Sequence, residues 1–204
     1  LPVAGLPSLI EGLVASDGVV YAGTGKGLCA IDTKDGREIW RNKDWGQGEG
    51  TTTTFSVGKN MLIASSQWRA LYGNDLKTGE LKWTADTNGL RNRGAAVHGD
   101  LLYLISDKSF FILDANTGRV IVRKELPFSV DVTSTPLLTD KEIIFGSAKD
   151  GLVALDSETL EIKWKFNTGD ALVYTSPYSR KVSATIETSP VLSGNTVYVG
   201  ASDG

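Results

Sequence analysis

One eleven-residue stretch recurs four times and constrains the fold more than anything else in the chain. The copies are Ala30 to Trp40, Gly73 to Trp83, Ile112 to Val122 and Ala154 to Trp164. Each carries an aspartate at its third position. These aspartates stand at 32, 75, 114 and 156, with steps of 43, 39 and 42 residues. Eight residues after the aspartate comes Trp40, Trp83, Val122 or Trp164. Self-similarity with a period near 40 marks a repeat architecture, in which each copy is one supersecondary unit stacked on the next.

The chemistry of the stretch is that of a hairpin. An apolar run ends in aspartate, whose carboxylate can accept hydrogen bonds from backbone N–H groups two or three residues on. Four residues after the aspartate, Gly36, Gly79 and Gly118 supply the left-handed conformation that a short bulged hairpin loop needs. In the fourth copy Leu160 takes that place, so it must tolerate the same backbone or its turn must differ. A second alternating run then leads to Trp. A buried Trp removes roughly 150–250 Å² from water, on the order of 4–6 kcal/mol gross. The Trp is therefore expected to be the packing anchor of its unit.

The pattern Ala-x-Asp-x-x-Thr-Gly-x-x-x-Trp resembles the repeat of the pyrroloquinoline quinone (PQQ)-like β-propeller family, over nearly the whole chain. The departures are Asp35 in the Thr position, Gly73 and Ile112 in the Ala position, Leu160 for Gly and Val122 for Trp. The resemblance implies four-stranded blades whose Trp docks against the neighbouring blade. It is specific for fold and weak for function. The same repeat is found in quinoprotein dehydrogenases, in non-catalytic propellers of the BamB type and in propellers appended to metallophosphoesterases. It implies a periplasmic or other extracytoplasmic location.

Turn signals place four short strands in each unit. In the first they cover about 10–15, 19–22, 28–31 and 37–40. The turn between the first two strands recurs around residues 17, 59, 99, 140 and 194, with steps of 42, 40, 41 and 54. The last step is long because residues 168–187 are inserted. Short alternating runs punctuated by Gly, Asp and Asn predict an all-β fold without helices. The expected architecture is one domain over 1–204. Its units cover about 10–44, 53–87, 94–126, 133–167 and 188–204, giving four complete blades and half of a fifth. Propellers commonly have four to eight blades. The chain is thus expected to be a fragment of a larger ring or a ring completed by another chain, with a small closed propeller as the alternative.

Composition narrows the function. With 204 residues the chain can build a substantial core. A net charge of −3 argues against nucleic acid as the main partner. The single cysteine, Cys29, excludes an internal disulfide and a thiolate zinc site. No apolar run is long enough for a transmembrane helix. The first residue is Leu1 rather than Met, as expected of a processed chain, an excised domain or a fragment.

Few residues invite a catalytic assignment. Gly23-x-Gly25-x-Gly27 looks like a phosphate-binding loop, but such a loop must open a helix, and here a strand is expected to follow. His98 is the only imidazole and falls in a turn. No second His or Cys accompanies it for a metal cluster or a nucleophile–base pair. Cys29 alternates with Leu28 and Ala30 and is expected to pack as a small apolar residue. No catalytic residue, metal ligand or cofactor, PQQ included, is assigned.

The informative residues stand outside the repeat. Trp45 lies between the fourth strand of one unit and the first of the next. Trp68 and Arg69 lie between the second and third strands of their unit. In an up-and-down blade these two kinds of connection emerge on one face. Arg91, Arg93, and the insertion with Tyr174, Tyr178 and Arg180 belong to the same face. Trp, Tyr and Arg dominate interface hot spots, and strand-end loops vary without disturbing a scaffold. These eight residues form the candidate site for a protein, peptide or glycan. The alternatives are an accessory domain of a larger enzyme, such as a metallophosphoesterase, and part of a PQQ-dependent dehydrogenase.

Overall fold

The computed structural model describes residues 10–24, 27–42, 55–65, 70–85, 94–130, 134–147, 149–172, 185–186 and 188–203. They are all strand, turn and coil, without a helix. They form eighteen strands. The first sheet holds β1 (Ile10–Ser16), β2 (Val19–Thr24), β3 (Gly27–Asp32) and β4 (Glu38–Asn42). The second holds β5 (Phe55–Val57), β6 (Met61–Ser65), β7 (Leu71–Asp75) and β8 (Leu81–Ala85). The third holds β9 (Ala95–His98), β10 (Leu101–Ser106), β11 (Ser109–Asp114) and β12 (Val120–Glu125). The fourth holds β13 (Leu137–Leu138), β14 (Glu142–Gly146), β15 (Leu152–Asp156) and β16 (Ile162–Phe166). A two-stranded sheet follows, β17 (Val191–Ser193) with β18 (Thr196–Tyr198). Within every sheet the strands lie in chain order. These are the four blades and the half blade expected from the repeat.

The recurring turn closes in one way in all four copies. Asp75 Oδ1 accepts from the N–H groups of Lys77 and Thr78, both at 2.9 Å. Asp114 Oδ1 does the same for Asn116 and Thr117, and Asp156 Oδ1 for Glu158 and Thr159. Asp32 Oδ1 accepts from Lys34 at 2.7 Å. The N–H of Gly36, Gly79, Gly118 and Leu160 each returns to the carbonyl of its aspartate at 2.8–2.9 Å. At that point φ is +73°, +74°, +70° and +58°. Leu160 therefore adopts the left-handed conformation, which an L residue with a branched side chain enters rarely.

The turn also shifts the strand register, which sets what faces the Trp. Ala30 pairs with Trp40, Gly73 with Trp83 and Ala154 with Trp164, while the next residues, Ile31, Asn74 and Leu155, pair with Glu38, Leu81 and Ile162. The first motif position lies directly beneath an indole and must be small. At Gly73 a Cβ would overlap the Trp83 ring. Gly73 is thus a tighter version of the alanine rule.

The chain divides into two compact units, Leu1–Leu102 with Leu113–Ile121, and Tyr103–Ile112 with Val122–Gly204. In the first, β5 packs beside both β1 and β9, the first strands of the three sheets. Its core joins the first and second sheets through Tyr21, Leu28, Ala30, Trp40, Leu62, Ala64, Ala70 and Tyr72. Trp40 and Trp83 are both buried, and each donates its indole N–H to the turn of the following copy. The acceptors are the carbonyls of Leu76 at 3.1 Å and Ala115 at 3.2 Å. The receiving glycines, Gly79 and Gly118, lie against the six-membered rings of Trp40 and Trp83, where a Cβ would overlap. The turn glycine thus meets two demands, its dihedral and the indole above it. Asn42 adds a bond from its Nδ2 to the Gly79 carbonyl at 2.8 Å.

The second unit is built without an indole at its corresponding joint. One core gathers Ile105, Phe110, Leu126, Val130, Ile143, Phe145, Val153, Leu155 and Leu160. Ile112 and Val122 are packed against it. Ile144, Leu152, Ala154 and Ile186 form another core, against which Trp164 and the half-blade residues Val197, Val199 and Ala201 pack. Trp164 is half-buried. Its indole N–H goes to Glu142 Oε1 of its own sheet at 3.2 Å, and Lys163 Nζ sits 3.1 Å from the same oxygen.

Candidate binding face

Three sequence expectations about chemistry meet the structure directly. β3 begins at Gly27, so a strand and not a helix follows the glycine-rich stretch. His98 ends β9 and is exposed. Cys29 is fully buried and its thiol points to the Ala22 carbonyl at 3.8 Å. Burial pushes the Cys29 thiol up from its ordinary pKa, and the nearby Arg41 only partly offsets this. Among the described residues no three His, Cys, Asp or Glu side chains come together in a way that would hold a metal ion. No helix there is long and apolar enough to cross a membrane, which says nothing of a β-barrel.

Trp45, Trp68, Arg69, Arg91, Arg93, Tyr174, Tyr178 and Arg180 all lie outside the described residues. Beside the β10–β11 turn of the second unit the structure describes a polar cleft. It has a volume of about 420 Å³ and is lined by Asp107, Lys108, Ser109, Arg123 and Glu125. Asp107 and Lys108 form the tight turn between β10 and β11, with Asp107 left-handed at φ +51°. Arg123 and Glu125 come from the end of β12.

The segment after β12 folds back and fastens that turn. Leu126 N–H donates to the Lys108 carbonyl at 2.6 Å, and Val130 N–H to the Asp107 carbonyl at 2.9 Å. Ser129 Oγ donates to Asp107 Oδ1 at 2.7 Å. Leu126 and Val130 are buried in the core beneath. A cleft wall tied down by main-chain bonds and two buried side chains is pre-organised, which lowers the entropy lost on binding.

Arg123 is the guanidinium of the cleft. Its guanidinium lies 5.5 Å from the centre of the Phe111 ring, and one N–H reaches Ser109 Oγ at 3.5 Å. Among the described residues it has no carboxylate at ion-pair distance. Lys165, at the end of β16, is used differently. Its Nζ pairs with Asp150 at 2.7 Å and sits 4.3 Å above the Phe128 ring. Phe128 in turn stacks on Phe145. Arg123 was not among the sequence candidates because it sits within the repeated stretch's final strand. Its neighbour Val122, in place of Trp, was the only signal that this strand departs from the others.

A second recess, of about 270 Å³, lies in the first unit, beside the Asp75–Gly79 turn. It is lined by Val19, Tyr21, Ile39, Trp40, Leu76 and Lys77. It is the outer lip of the Trp40 joint, and Ile39 there is half-exposed.

Four-stranded antiparallel blades with an Asp–Gly turn and an inter-blade indole define a β-propeller of PQQ-like repeats. The family described as outer membrane protein assembly factor BamB matches residues 4–105 and 75–204, two overlapping spans, and the chain belongs to it. No curated protein matches the sequence. Among solved structures, BamB from Moraxella catarrhalis is similar at 18% identity and a TM-score of 0.69, covering 94% of this chain and 55% of that one. This chain thus spans about half the length of that relative. The computationally designed Ika8 protein is similar at 14% identity and a TM-score of 0.68, covering 98% of this chain and 70% of that chain. Quinohemoprotein alcohol dehydrogenase from Comamonas testosteroni is similar at 15% identity and a TM-score of 0.63, covering 88% of this chain and 40% of that one. At these identities the structural likenesses establish the fold alone.

Proposed function

We propose that the chain is a non-catalytic propeller scaffold that binds a protein partner on its loop-rich face, outside the cytoplasm. The observation that carries this reading is the cleft at Arg123. A guanidinium held over an aromatic ring, without a carboxylate among the described residues, beside a fastened turn, is the form an interface anchor takes. The mixed lining of Lys108 and Arg123 with Asp107 and Glu125 favours a partner of complementary pattern over a simple anion. The family's description as an assembly factor supports a protein over a glycan. Trp45, Trp68, Arg69, Arg91, Arg93, Tyr174, Tyr178 and Arg180 are proposed, from the sequence alone, as further contact residues. Tyr and Trp there offer large contact area at modest entropy cost.

Photo-crosslinking in cells tests this. A photoreactive residue at position 68, 108 or 174 is expected to give one common protein adduct, and at position 98 none. Shortening 170–183 is expected to abolish the adduct and leave the melting temperature nearly unchanged. An adduct only at position 98 would refute the face assignment. Dye reduction by the purified chain with PQQ and calcium would refute the non-catalytic reading.

A further inference from the structure

We infer that the outer strand of the third sheet is held by a salt-sensitive latch, made by a matched replacement of three residues of the repeat. Ile112, Val122, Lys124, Thr159, Leu160 and Glu161 all lie within the second unit. Where the first two copies place a small residue under a Trp that docks on the next copy's glycine, this joint has Ile112, Val122 and Leu160. All three belong to or pack against one core. The indole is gone, and the two positions it would have overlapped carry large aliphatic side chains instead. Gly73 and Gly118 show why the changes are coupled, since a Cβ at either would overlap the Trp83 ring. Leu160 keeps the turn at φ +58° with a side chain where glycine would be easier, so its aliphatic contact offsets the backbone cost.

What the swap removes is the indole N–H bond to the next turn. The side-chain bonds to the next turn are left to Lys124. Nζ of Lys124 lies 3.4 Å from the Thr159 carbonyl and 2.6 Å from Glu161 Oε1. Lys124 stands two residues after Val122, as Asn42 stands two residues after Trp40, and Asn42 likewise bonds the next turn. Glu161 is 76% exposed. An exposed ion pair is weak and screened by salt; the uncharged indole bonds of Trp40, part-buried, and Trp83, buried, are not. The strand so held also bears Arg123 and Glu125, so release of the latch would let the cleft wall move. The latch itself does not depend on the cleft's having a partner.

Hydrogen exchange of the isolated wild-type chain, with no partner present, tests the latch. Raising ionic strength to about 1 M shortens the screening length to ~3 Å. Exchange across 122–126 is expected to speed up about two- to fivefold relative to 38–42 and 81–85, as for loss of an exposed ion pair. Equal salt response in the three segments would overturn the inference. The reciprocal arm rebuilds the indole joint. V122W alone is expected to lower the melting temperature, and I112A/V122W/L160G to recover it and remove the salt response. A triple variant less stable than V122W alone would also overturn it.

Discussion

The ring of Trp83 occupies the space that a side chain at Gly118 would need, and its indole N–H bonds the Ala115 carbonyl three residues before that glycine. Trp and Gly are therefore a pair across adjacent copies, although each motif presents them together. Within one copy they belong to different joints. Trp83→Ala is expected to cost about 3–5 kcal/mol, the usual range for a core Trp. Gly118→Ala should be clearly destabilising as well, because both φ and the ring oppose a Cβ. His98→Ala should stay within about 0.5 kcal/mol, as for other exposed sites. Urea denaturation of the three variants decides this, and equal effects at 83 and 98 would contradict the packing described.

Asn74 is fully buried, and its Oδ1 has no partner among the described residues. Its Nδ2 reaches the Leu62 carbonyl at 3.4 Å, a long bond. The same motif position holds Ile31, Leu113 and Leu155 in the other copies. An orphaned buried acceptor costs about 1–3 kcal/mol. Asn74→Leu is expected to stabilise the chain by about 1 kcal/mol or more, with thermal denaturation as the measurement.

The turn aspartates make stability depend on acid. Partial desolvation works against ionisation at Asp75 and Asp114. The N–H groups of Thr78 and Lys77, and of Asn116 and Thr117, outweigh it and hold both carboxyls below the usual range. At Asp156 the Thr159 and Glu158 N–H groups do the same. A carboxyl with a folded pKa below its unfolded value of about 3.9 contributes fully above that value. The contribution disappears as pH falls through the folded pKa. Asn keeps the acceptor oxygen and removes the charge. A D75N/D114N/D156N variant should therefore be less stable than wild type at neutral pH, by a margin that narrows below about pH 4. A constant margin would show that the charge contributes nothing.

Cys29 is expected to be inert in the folded chain. Its thiol is buried, and its raised pKa keeps the thiolate fraction low. A disulfide reagent should modify it only at the rate of unfolding, and fast labelling under native conditions would refute this placement.

The period, the Asp–Gly turns and the alternation of the runs determined four blades and half of a fifth from the sequence alone. Those signals are local: a carboxylate reaching N–H groups two or three residues on needs nothing from the rest of the chain. Leu160 in a left-handed turn was legible as a departure for the same reason. What only the tertiary structure decided is which departures belong together. Ile112, Val122 and Leu160 read as separate blemishes along the chain, because the Trp of one copy meets the glycine of the next and not its own. Arg123 likewise gained its place in a cleft only when Leu126, Ser129 and Val130 folded back on Asp107 and Lys108. Burial, shared volume and charge environment are properties of segments brought together by packing, and no period along one strand encodes them.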